Sequence, residues 1–379
     1  MKTNLKKLLY SGVTLMSLGV LAACSTASSS TTTSSSVTTS QSATGSSNST
    51  ASNSSSSSID WSALPTTEVT LSNDGLKITE GGTYILTGST TAGVTVETDA
   101  NVRIILAGAD ISSSDNAAIN VIKADNVELE IKDGTSNTVK DTSNHSDTNI
   151  EGAIHVEADL TITGNGNLTV EGNFQDGIVS TDDLVINASS IKVTAVDDGI
   201  RGKDSLTING GTIDVTAGGD GIKSTNDTDT TKGYTRITGG DITVKAGDDG
   251  IKVETALTID GGTITVPESL EALEGTNITI NGGTLDVYGS DDAINAASTT
   301  STDIFIKVTG GDLKVAVGSG DTDAFDANGD IYISGGTIDV TAPTSAFDFD
   351  GTAELTGGTV RVNGEQISQI VATGPGARW

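Results

Sequence analysis

Acidic side chains recur along this 379-residue chain at one fixed point of a repeated motif. Asp176, the pair Asp197 and Asp198, Asp220, the pair Asp248 and Asp249, Glu271, the pair Asp291 and Asp292, and Asp323 each introduce a turn, written Asp-Gly-Ile at Asp176, Asp198, Asp220 and Asp249. Carboxylates held ~5 Å apart raise one another's pKa unless a cation stands between them. Calcium suits such a cluster, because it takes about six to eight oxygens, and carbonyls of tight turns can complete its shell. The expected ligands are Asp197, Asp198, Asp220, Asp248, Asp249, Asp291 and Asp292. A plainer reading stands beside this one: Asp-Gly suits a turn by itself, since Asp bonds the local backbone and Gly accepts positive φ. The second acid of each pair adds charge that no turn requires.

A basic row follows the same turns at a constant offset, as Arg201, Lys223 and Lys252, and is replaced in later copies by Glu274, Asn295 and Asp326. A cationic patch beside bound calcium suits an anionic sugar chain such as a uronate polymer, whose carboxylates would bridge metal and Lys or Arg. Alternatively these cations pair with neighbouring Asp in solvent. Aromatic residues make up 3% of the chain, so Tyr234, Tyr288 and Tyr332 stand out as rings that could stack on sugars. An isolated surface tyrosine can equally have no such role. The histidines are His145 and His155, and no Ser/His/Asp or Cys/His catalytic pattern accompanies them.

What must position these residues is a repeat. Leu206-Thr207-Ile208-Asn209-Gly210-Gly211-Thr212-Ile213-Asp214-Val215 recurs from Leu257, from Ile278 and from Ile331, with shorter copies around Gly240, Gly311 and Gly358. The spacing sets a period of about 22 residues, with insertions. Apolar and polar residues alternate within each unit, which marks half-buried strands. Three short strands and three turns fill one such unit, so the predicted fold is all-β: a parallel β-helix of stacked three-strand coils. Ile208, Ile259, Ile280 and Ile333 then form one interior ladder, with Thr207, Thr258, Thr279 and Tyr332 facing out. An antiparallel sandwich explains the alternation but not the fixed order of turns. The helix is expected over 59–363, capped by residues 60–100 at its start and by 364–379, as cap or tail, at its end.

Ahead of it lie a cationic start, an apolar stretch from Leu8 to Leu21, and Leu21-Ala22-Ala23-Cys24. The stretch is short for a bilayer span, which takes about 20 residues, and reads as a signal peptide over 1–23. Its end resembles the lipobox of bacterial lipoproteins, implying lipidation of Cys24, membrane attachment and display on the outer face of the cell membrane. Cys24 is the sole cysteine, which excludes an intramolecular disulfide. Residues 25–58, almost wholly Ser and Thr, form a spacer of roughly 30 Å on average. The chain carries 20 Lys and Arg against 50 Asp and Glu, and loses Lys2, Lys6 and Lys7 with the leader. That balance disfavours nucleic acid as a partner and favours divalent cations. A monomer is expected.

Over roughly residues 60–362, the Thr-Ile-Asn-Gly-Gly-Thr-Ile-Asp-Val and Asp-Asp-Gly-Ile-Arg/Lys units resemble a family of bacterial carbohydrate-binding-domain proteins, often lipoproteins. The resemblance implies a right-handed, pectate-lyase-like parallel β-helix and calcium-assisted binding of acidic or cellulosic polysaccharide without cleavage. It places calcium ligands at Asp197, Asp198, Asp220, Asp248 and Asp249, and the pattern departs at Leu270-Glu271-Ala272-Leu273. The competing activity is a polysaccharide lyase, with calcium acidifying the proton beside a uronate carboxylate and Lys223, Lys252 or Arg201 abstracting it. A pectinase-type hydrolase is disfavoured, because its Gly-His-Gly and Arg-Ile-Lys elements are missing.

Overall fold

The computed structural model describes residues 59–187, 190–320 and 322–373. The expected signal peptide, Cys24, the spacer to residue 58 and the tail from residue 374 lie outside the described residues. Strand pairing follows the alternation read from the sequence. In Thr212–Ala217, Ile213, Val215 and Ala217 turn inward and the intervening Thr, Asp and Thr turn outward. One coil comprises a short strand after the acidic turn (Ile222–Ser224), a second before the Gly-Gly turn (Tyr234–Ile237) and a third after it (Asp241–Ala246). Each pairs in parallel with its counterpart one coil away.

The short strands build a 12-stranded sheet and the other two sets a 24-stranded one. The second sheet covers two faces because the long strand Val102–Ser112 pairs with Asn126–Ile131 along its first part and with Ser136–Lys140 along its last. The molecule is a parallel β-helix. Ile208, Ile237, Ile259, Ile280, Val308 and Ile333 occupy one interior column, and all are buried. Each such side chain contributes about 1.5–3 kcal/mol of hydrophobic stabilisation. Thr207, Thr258, Thr279 and Tyr332 share the outward column with Arg236 and Lys307.

The Gly-Gly turns stack as tightly as the strands. Gly262 holds φ +96°, and a Cβ there would lie 3.0 Å from the carbonyl oxygen of Gly240 in the preceding coil, so no larger residue fits without strain. The residue before each pair adds a side-chain ladder: Asn209 donates to Asn187 at 2.8 Å, Asn281 to Asp260 at 2.8 Å and Thr309 to Asn281 at 2.8 Å. At the start, Thr66–Leu71 already pairs in parallel with Gly82–Thr90, so residues expected to cap the helix are its first rungs. At the far end, Asn363 and Gly364 take positive φ of 51° and 88° and reverse the chain. Glu365–Ile367 folds back antiparallel on Thr359–Val362, covering part of the last ladder with a hairpin whose Asn-Gly turn is suited to positive φ.

Candidate functional site: the acidic column

Stacking brings the acids of successive turns to one corner. In each doubled pair the first acid, Asp197 or Asp248, is exposed, and the second, Asp198 or Asp249, is buried. Asp291 is exposed and Asp292 half-buried. The inward carboxylates are threaded onto the next backbone. Asp198 N–H donates to Asp176 Oδ1 at 3.1 Å, Asp220 N–H to Asp198 Oδ1 at 2.9 Å, Asp249 N–H to Asp220 Oδ1 at 3.0 Å, and Glu271 N–H to Asp249 Oδ1 at 3.2 Å. The bond returns between Asp323 N–H and Asp292 Oδ1 at 2.7 Å. These acids therefore fasten coil to coil, a role beyond capping their own turns.

Their second oxygens meet the basic row. Arg201 contacts Asp176 Oδ2 at 2.8 Å and also Glu151. Lys223 Nζ bridges Asp198 Oδ2 at 3.1 Å and Asp220 Oδ2 at 2.6 Å. Lys252 Nζ lies 2.6 Å from Asp249 Oδ2 and also holds Glu274. The cations sequence reasoning offered to a uronate are thus engaged by the column. Burial opposes the charge on Lys223, but its bonds to Asp220 and Asp198 push its pKa up to about 12. The same contest raises Lys252, through Asp249 and Glu274.

Beyond Lys252 the offset continues as Glu274, Asn295 and Asp326, and no cation occupies it. Burial there meets accumulated acid. Burial pushes Glu271 up to about 8, with Glu274, Asp249 and Asp292 adding to the rise and a hydrogen bond from Asn295 opposing it. Burial likewise lifts Asp326 to about 7, assisted by Asp292 and Asp323. Asp249, between the two regimes, is raised to about 7, chiefly by burial.

Two acid triads bring ligand oxygens within 4.8 Å of one another: Asp220 with Asp248 and Asp249, and Asp249 with Glu271 and Glu274. The donors are all carboxylate oxygens, the set that suits calcium. In the second triad Glu271 Oε2 is buried without a hydrogen-bond partner, while both Asp249 oxygens and Glu274 Oε2 are engaged, as both Asp220 oxygens are in the first. The free Glu271 oxygen favours a divalent cation at Asp249, Glu271 and Glu274 over Asp220, Asp248 and Asp249. The sequence places Glu271 on the acidic row and Glu274 at the basic row's offset but not among the expected calcium ligands, because Leu270-Glu271-Ala272-Leu273 breaks the Asp-Asp-Gly-Ile pattern. Glu274 shares the offset of Lys252, and that register was the signal available.

The tyrosines do not converge. Tyr234 and Tyr332 begin and occupy strands of the face before the Gly-Gly turns, while Tyr288 lies in Thr284–Gly289 on the face after them. Tyr332 donates to Asp330 Oδ2 at 2.7 Å, which fixes its ring against its own strand. His145, stacked on Phe174 at 4.3 Å and 2.9 Å from Asp141 Oδ2, forms a buried structural cluster. His155 lies on the basic row's own ladder, reached through Val179 from Arg201.

A family model described as "Carbohydrate-binding domain-containing protein" matches residues 72–324. The chain belongs to this carbohydrate-binding domain family. A carbohydrate-binding domain-containing protein of Acetivibrio thermocellus is 32% identical over 135 residues, covering 34% of this chain and 47% of that relative. The chain thus matches about half of the relative's length. A solved structure described as the polysaccharide lyase-like protein from C. thermocellum, in a gadolinium derivative, shares 30% identity at a TM-score of 0.52. It covers 64% of this chain and 98% of its own. In this carbohydrate-binding domain, the acidic column therefore sits on a polysaccharide lyase-like β-helix.

Proposed function

We propose that the protein is a calcium-dependent polysaccharide-binding module without catalytic activity, held as a monomer at the outer face of the cell membrane by lipid on Cys24. The observation that carries the calcium reading is the triad of Asp249, Glu271 and Glu274, whose oxygens lie within 4.8 Å of one another and include the unpartnered, buried Glu271 Oε2. Bound there, calcium supplies the positive charge that Glu271 lacks. Asp249 and Glu274 also bond Lys252, so calcium there shares these carboxylates with the lysine ammonium and displaces it from at least one of them. The family match to a carbohydrate-binding domain supports polysaccharide as the partner.

A lyase is the second reading, favoured by the lyase-like neighbour. It requires a lysine or arginine that gives up its proton near neutral pH. Lys223, Lys252 and Arg201 are all pushed upward instead, burial being overcome by their carboxylate partners. That direction supports binding over β-elimination. The test mixes the full-length protein with polygalacturonate and with cellulose, with calcium or with a chelator, following pull-down and the absorbance of unsaturated product. Calcium-dependent retention without product is expected; accumulating product overturns the non-catalytic reading.

A further inference from the structure

Two insertions interrupt the regular coil at the same corner. Residues 225–233 join Ile222–Ser224 to Tyr234–Ile237, and residues 297–304 join Ile294–Ala296 to Phe305–Val308. Ile222, Ile251, Leu273 and Ile294 are successive partners, so the insertions stand three coils apart, with tight corners at Glu254-Thr255 and Thr276 between them. At the sheet spacing of ~4.8 Å the loops rise roughly 14 Å apart. They wall a cleft of about 650 Å³ whose floor includes Val253, Ala256 and Asn277.

Both walls are held by their own hydrogen bonds. Asn226 Oδ1 accepts from the backbone of Thr228 and Asp229 at 3.1 and 2.9 Å, and Asp229 Oδ1 from Thr231 N–H at 3.0 Å. Asn226 Nδ2 also donates to Asp204 at 2.6 Å, tying the loop to the coil beneath. Across the cleft, Ser298 Oγ accepts from Thr300 and Ser301 N–H at 3.2 and 3.0 Å. Walls fixed in this way lose little freedom when a ligand enters, which favours binding.

We infer that this cleft seats a single neutral, hydroxyl-rich polysaccharide chain, with the ring of Tyr234 as its stacking platform. The inference rests on the carbohydrate-binding reading and names the ligand class and the seat. Tyr234 is 38% exposed and lines the cleft, so its apolar face is open to a sugar ring. The charged lining residues are Asp227, Asp229, Glu254 and Glu274 against Lys252, which already pairs with Asp249 and Glu274. A uronate meets net repulsion there. A neutral glycan instead donates its hydroxyls to these carboxylates and exchanges hydrogen bonds with the Thr, Ser and Asn side chains around them.

The full-length protein is tested by affinity electrophoresis in gels containing hydroxyethylcellulose or polygalacturonate, as wild type, Tyr234→Ala and Tyr234→Phe. Tyr234 is partly exposed at a strand start, and circular dichroism checks that each variant keeps the wild-type strand signal. Retardation by hydroxyethylcellulose is expected to fall about tenfold in Tyr234→Ala and to return in Tyr234→Phe, the ring being what counts. Equal retardation of wild type and Tyr234→Ala overturns the cleft and leaves the carbohydrate-binding reading standing. Retardation by polygalacturonate alone, lost on Tyr234→Ala, overturns the neutral-glycan assignment. A wild type retarded by neither polymer removes this inference together with the reading beneath it.

Discussion

The carboxylate of Asp220 accepts the backbone N–H of Asp249, 29 residues further along the chain, at 3.0 Å, while its other oxygen meets Lys223. One side chain thus replaces a missing main-chain partner and neutralises a cation. Asp220→Ala removes both interactions and is expected to cost about 2–4 kcal/mol, the scale for an orphaned buried donor beside a broken buried ion pair. Asp220→Asn keeps an oxygen for the N–H and should recover part of that loss. Chemical denaturation of the three proteins measures it, and equal stability of Asp220→Ala and wild type would refute the fastening role.

Calcium at Asp249, Glu271 and Glu274 predicts a particular response to Glu271→Gln. Without metal the variant gains stability, because a buried carboxylate crowded by Asp249 and Asp292 is replaced by a neutral amide. With calcium, the rise in melting temperature seen for wild type should shrink, since a ligand is gone. Melting curves with chelator and with millimolar calcium decide the matter. A variant that keeps the full calcium response places the ion elsewhere on the column.

Turn stacking gives a purely steric expectation. Gly262→Ala forces φ +96° on a residue with a Cβ, and that Cβ lies 3.0 Å from Gly240 O. A loss of at least about 1–2 kcal/mol should follow. The outward Thr258→Ala change, one strand earlier, should cost far less, and comparable losses at the two sites would argue against tight turn packing.

His155 carries the acid-side pH dependence. It is buried, faces Glu151, Arg201, His145 and Asp147, and burial first of all brings its pKa down to about 4 from an ordinary 6.5. Between those values the unfolded chain binds more protons than the folded one, so stability is lost as pH falls through the window. The raised acids Glu271 and Asp326 act in the opposite sense, which makes a difference between two proteins the clean measurement. Melting temperatures of wild type and His155→Gln, recorded from about pH 7 to pH 4, should converge as pH falls. Parallel curves would show that the imidazole does not titrate in this range.

The sequence by itself determined the coil. Alternation in Thr212-Ile213-Asp214-Val215 and the recurring Gly-Gly pair act within a few residues, through side-chain parity and backbone φ, so the period, the three strands and the Ile208 column were legible without coordinates. Even the acids' common corner followed from their spacing. Only the tertiary structure decided which acid of each pair turns inward, that Lys223 and Lys252 are engaged, and that Glu271 Oε2 is buried close to Asp249 and Glu274. It alone set residues 225–233 opposite 297–304 across one cleft. The physical reason is range: a hydrogen bond from Asp249 to Asp220, or a cleft between loops three coils apart, depends on how whole coils register, and insertions of differing length conceal that register in the linear chain.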